Sequence, residues 1–234
     1  MLAVYKRELR AYFTSPMGYI FLAIWLALAN LFFYMYCVMS QTSDLSGTFA
    51  NLLFISSFII PMLTMRTFSE EKKQKTEQLL LTSPVSLTGI VVGKYLSCLT
   101  VFVVALLGTF TWPLIVTMYG HPALYTIVGN YAALFFGVAA FMAIGVFLSC
   151  MTESQIVAAI SSFATYMGLY LIGTLASAID SPVVRAIMNF ISLFSRYSNF
   201  ALGLFALDDI VYYISITVIF LFLTTRVIEK KRWA

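Results

Sequence analysis

The chain has 234 residues, 61% of them hydrophobic and only 10% charged, with a net charge of +4 and a mean hydropathy of +0.93. That composition excludes a water-soluble globule and describes an all-α integral membrane protein. Its three cysteines, Cys37, Cys98 and Cys150, have no CxxC spacing, so neither a disulfide framework nor a metal site is implied.

Residues 1–14 read as an interfacial amphipathic helix, with Leu2, Tyr5, Leu9, Tyr12 and Phe13 on one face and Lys6, Arg7 and Arg10 on the other. The same residues fit a basic flank that serves only orientation. Ser15-Pro16 ends the helix and redirects the chain. Residues 11–43 then run without a charge, long enough to span a bilayer that takes roughly 20 residues. Ala27-Leu-Ala29 resembles a signal-peptidase site, but the run continues through Phe32-Phe-Tyr-Met-Tyr36, which suits an aromatic belt, so no cleavage is expected.

Five further runs, at 45–65, 95–118, 126–150, 155–179 and 210–228, bring the expected spans to six, with Arg226 snorkelling from the last. Pro61 is expected to kink span two near one end. Between spans two and three, residues 66–86 hold 7 of the 24 charged residues. Thr67-Phe-Ser-Glu70 matches a capping box, and Thr76 can cap a short helix that Pro84 stops. Leu79, Leu80 and Leu81 stand together there, which suits docking better than solvation.

Residues 180–209, between spans five and six, are too short and too interrupted by Arg185 to cross. Two short helices dipping into the outer leaflet, or an amphipathic loop on the surface, fit them. Asp208 and Asp209 suit the helix N-terminus that follows. With six spans, 12 of the 14 basic residues fall on one side, which predicts that both termini are cytoplasmic and accounts for the net charge without nucleic acid.

Catalytic chemistry is missing. His121 has no acidic or cysteine neighbours, and no HExxH, GxSxG or paired intramembrane carboxylates occur. Gly89-Ile-Val-Val-Gly93-Lys94-Tyr95 falls one residue short of a phosphate loop and has Tyr where Ser or Thr would hold magnesium; helix packing through small residues is the better reading. The spans carry no ionisable group near the midplane, which argues against ion-gradient coupling by this chain alone; if it moves something, another subunit supplies the work.

The cytoplasmic entry helix, the six spans, the loop MRTFSEEKKQKTEQLLLTSPVSLTGIVVGKYLS, the link TESQIVAA and the ending LDDIVYYISITVIFLFLTTRVIEKKRW together resemble the ABC type-2 transporter permeases, especially the gliding-motility-associated permease subunit and its relatives. The resemblance covers residues 1–234 as a single permease domain. It implies a non-catalytic half-transporter, with an exporter preferred, in the bacterial cytoplasmic (inner) membrane. Such a subunit works with a second permease copy or homologous subunit, with or without an accessory extracytoplasmic protein. ATP and Mg would be bound by separate ATP-binding subunits.

In that family the polar loop, here 67–86, is a cytoplasmic coupling helix region seated on the ATPase. The family's T-x-E-x-L-L is met by Thr76, Leu80 and Leu81, with Gln78 at the glutamate position and the carboxylate one residue earlier at Glu77. Docking residues are therefore Glu77, Leu79, Leu80 and Leu81. Glu153 offers a second contact or, equally, a carboxylate at a helix N-terminus. A membrane anchor that recruits an ATPase without transporting would share these features.

Overall fold

The computed structural model describes residues 1–76, 85–120, 123–179, 181–197, 200 and 207–233. Six helices long and apolar enough to cross a membrane are present: span one Pro16–Val38, span two Ser46–Lys73, span three Leu87–Met118, span four Leu124–Met151, span five Gln155–Ala176 and span six Leu207–Lys230. The described residues contain no strand. Apolar runs become helices here because lipid offers the backbone no hydrogen-bond partner, and a helix satisfies its own amides.

Span four is the hub, packing against spans two, three, five and six. Close approach to span two depends on Gly145, where a Cβ would lie 2.4 Å from Thr64 Oγ1. In the most apolar windows of spans two, three and four, 61%, 61% and 72% of residues are buried, against 28%, 17% and 11% in spans one, five and six. The outer three therefore present wide apolar faces to whatever surrounds the chain. Cys37, Cys98 and Cys150 are buried thiols rather than disulfide partners.

The N-terminal helix, Leu2–Thr14, ends as expected: Ser15 is extended and Pro16 starts span one at the first helical position, where its missing N–H costs nothing. Of the expected face, Tyr12 is buried and Tyr5, Leu9 and Phe13 are half-buried, whereas Leu2 is exposed; Val4 and Glu8, spaced by four from Tyr12, join the packed side. The helix lies on span three over Gly93, where a Cβ would come within 3.2 Å of the Met1 carbonyl. The packing role expected for Gly89 and Gly93 is thus met by the N-terminal helix.

At the far end from the termini, Pro182–Ile191 forms one short helix against span five, with Val183, Ile187 and Phe190 exposed. Part of the second expected helix lies outside the described residues, as does His121. Arg196 pairs with Asp209 at 2.7 Å and lies 4.2 Å from the Tyr212 ring centroid. Tyr197 donates to Asn130 Oδ1 at 2.5 Å, tying this segment to span four. The first-turn carboxylate Asp209 therefore holds an ion pair as well as a helix start.

Candidate functional site

Span two does not stop where its apolar run ends. Its first part, Ser46–Thr64, gives way at Met65 to an extension helix, Arg66–Lys73, and Lys75 then adopts φ of 56°, the left-handed turn that closes a helix. The expected capping box does not form. Thr67 lies inside the extension and donates to the Thr64 carbonyl at 2.7 Å, while Glu70 pairs with Arg66 at 2.7 Å. The capping group comes from elsewhere in the chain: Ser149 of span four accepts from the Phe68 and Ser69 amides, both at 3.2 Å, and donates to the Met65 carbonyl at 2.9 Å. One hydroxyl thereby uses its donor and two acceptor sites. Lys72 adds a bond from its ammonium to the Cys150 carbonyl.

On the other side, the extension meets the N-terminal helix and span three through four charges. Lys94 is only 1% exposed, and its ammonium reaches Glu71 Oε1 at 3.0 Å, Glu8 Oε1 at 3.4 Å and the Thr67 carbonyl at 2.5 Å. Arg7 closes the cluster, with Nη2 2.6 Å from Glu8 and 2.8 Å from Glu71. Burial works against the Arg7 charge, but these two carboxylates outweigh it and raise the guanidinium above its ordinary range. Tyr12, next on the same stripe, donates to the Leu63 carbonyl at 2.8 Å, and its burial, with Cys98 beside it, pushes the phenol well above its usual pKa.

Beneath the charges, Val4, Phe68, Ile90, Val91, Val146, Cys150 and Ile228 make a small apolar core. It draws on the N-terminal helix, the extension and spans three, four and six, so both termini sit at this end. A cleft of about 610 Å³ opens between the N-terminal helix and the extension, lined among others by Ala3, Arg7, Glu8, Glu71, Thr76, Val85 and Lys94.

Of the residues singled out in the sequence, Lys6 and Arg10 are exposed, whereas Arg7 belongs to the cluster. Glu77, Leu79, Leu80 and Leu81 lie outside the described residues. Glu153 is exposed in the turn between spans four and five, three residues past the carbonyl that Lys72 grips. Sequence reasoning missed Glu8, Glu71, Ser149 and the burial of Lys94. A signal for one existed: Glu8 stands midway between Val4 and Tyr12 on one helical stripe, and a carboxylate on a buried stripe requires a partner.

No group of His, Cys, Asp or Glu suited to a metal ion occurs among the described residues. The arrangement offers no nucleophile and base in reach of each other. One short helix is thereby fastened on both flanks. The family model described as ABC-2 family transporter protein matches residues 2–232, and no curated protein matches the chain.

Proposed function

The chain belongs to the ABC-2 family of transporter proteins, multi-pass membrane components that work with an ATP-binding subunit, and on that premise we propose that it is half of an ATP-driven exporter whose extension helix passes ATPase motion into the spans. The observation that carries this reading is the double fastening of Arg66–Lys73, through Ser149 and Lys72 to span four and through Glu71 to Lys94 and Arg7. The docking segment begins where that helix ends. Leu79, Leu80 and Leu81 bury apolar area in the ATPase, Glu77 orients the contact, and Glu153 adds a second touch point beside Cys150.

In this mechanism ATP and Mg bind the partner, the two ATPases close, and the docked segments are displaced. A flexible loop would dissipate that displacement. A helix fastened on both flanks transmits it to spans three and four, and the exposed faces of spans one and five suit a second permease subunit. Both termini are cytoplasmic in this reading, which puts the basic residues of both ends on the inner face of a bacterial cytoplasmic membrane. A kinship with the gliding-motility permeases and an accessory extracytoplasmic protein belong to the same proposal.

Leu80→Asp tests it: co-purification of the ATP-binding subunit should be lost at unchanged membrane expression, because a charge enters a desolvated contact. Full retention of the ATPase, with normal ATP-driven substrate movement in proteoliposomes, rejects the docking assignment. An ATPase that binds but drives no movement of any substrate identifies a recruiting anchor instead.

A further inference from the structure

The N-terminal helix has three faces, and two of them are occupied. Val4, Glu8 and Tyr12 pack inward, while Ala3, Arg7 and Ala11 line the cleft beside the extension. The third face carries Leu2, Lys6, Leu9, Arg10 and Phe13, none of which lines the cleft. Leu2, Lys6 and Arg10 are exposed there, and Leu9 and Phe13 are half-buried. This face holds cations and no carboxylate, because the helix turns its only acid, Glu8, toward Lys94. Among the described residues, neither the Lys6 ammonium nor the Arg10 guanidinium has a partner.

Contacts on the neighbouring spans set the depth of this helix. Tyr5 shares a hydrogen bond with Thr100 Oγ1 at 3.0 Å, and Tyr12 donates to the Leu63 carbonyl at 2.8 Å. The helix therefore lies where the apolar runs of spans two and three give way to Arg66 and Lys94. Phe13 meets Tyr19 of span one edge to face, with ring centroids 6.0 Å apart. Tyr19, Ile20 and Ile24 are exposed on span one, so the third face continues into a surface that faces the bilayer. We infer that this third face binds acidic phospholipid headgroups, with Lys6 and Arg10 on the phosphates and Leu2, Leu9 and Phe13 against the acyl chains. Charge complementarity selects this occupant. A second copy meeting the same face about a two-fold axis would set Lys6 and Arg10 against their own like charges. The surface needs no ATP-binding subunit, so it is independent of the docking assignment.

Thermal unfolding of the full-length chain in detergent micelles doped with phosphatidylglycerol or with phosphatidylcholine tests this. Phosphatidylglycerol should raise the midpoint by about 4 °C more than phosphatidylcholine does. Lys6→Gln combined with Arg10→Gln should abolish that difference. Lys73→Gln combined with Lys75→Gln, which removes two exposed cations at the end of the extension, should keep it. The inference is overturned if the unmodified chain shows no difference between the lipids, or if the difference survives the changes at Lys6 and Arg10. Equal loss in both double variants also overturns it, because the response would then follow net charge alone. Light scattering supplies the last arm: a dimer fraction that falls with Lys6→Gln and Arg10→Gln alike in both lipids gives the face to a second copy instead.

Discussion

The two ends of the helical bundle solve the same problem differently. Where the termini lie, Glu8, Glu71 and Lys94 come from three helices far apart in sequence, and their charges surround a cleft. At the opposite end the ion pair is Arg196–Asp209, thirteen residues apart, with the guanidinium stacked near Tyr212 and Phe190. Tyr197 donates to Asn130 and Tyr213 to the Leu193 carbonyl, and the Arg185 guanidinium donates to the nearby Ile179 carbonyl. The first end joins helices far apart in the chain to one another; the second holds a reversing segment to the spans it connects. Charge between distant elements resists relative motion at a place where force is proposed to enter, whereas a local pair needs only to fix a fold.

Lys94→Met should strain this comparison most. It leaves two carboxylates facing one another with Arg7 alone, and a broken buried ion pair costs about 3–5 kcal/mol. Thermal unfolding in detergent should show a large drop, and stimulation of the ATPase by the permease should fall with it. The double variant Lys94→Met, Glu71→Met should recover much of the stability, since Arg7 and Glu8 remain paired, but not the stimulation.

Arg196→Met should lower stability by about 3 kcal/mol, the low end of the same range, because its side chain is already 20% exposed. ATPase stimulation per folded molecule should be unchanged; a loss equal to that of Lys94→Met would erase the distinction between the ends. Ser149→Ala removes the cap from two amides and should cost about 1–2 kcal/mol. Its stimulation should drop further than that stability loss explains, read as ATP turnover against folded fraction. The smallest effect is expected from Tyr197→Phe, about 1 kcal/mol in thermal unfolding with normal stimulation.

Much of the architecture was legible before any coordinates. The six spans and the turn at Ser15-Pro16 were readable from run length and proline. In the N-terminal helix Tyr12, Leu9, Phe13 and Tyr5 are packed as their shared face suggested, Leu2 is exposed, and Val4 and Glu8 join the packed side. The capping box at Thr67-Phe-Ser-Glu70 matched a local pattern that lost to a serine about 80 residues away. Lys94 read as one more inward-biased charge, and nothing in its neighbours announced that it would be 1% exposed.

The sequence by itself determined where the backbone must be helical and how many times it crosses, because in hydrocarbon each amide must be satisfied within its own segment and a run of about 20 apolar residues has no other stable state. It also carried the leucine triplet for which docking is proposed. Only the tertiary structure decided that Glu8, Glu71 and Lys94 meet and that Ser149 caps a helix in another span. Those outcomes depend on which helix faces pack together and how closely glycines such as Gly93 and Gly145 allow it. A charge selects its partner through space, at distances that no local periodicity records.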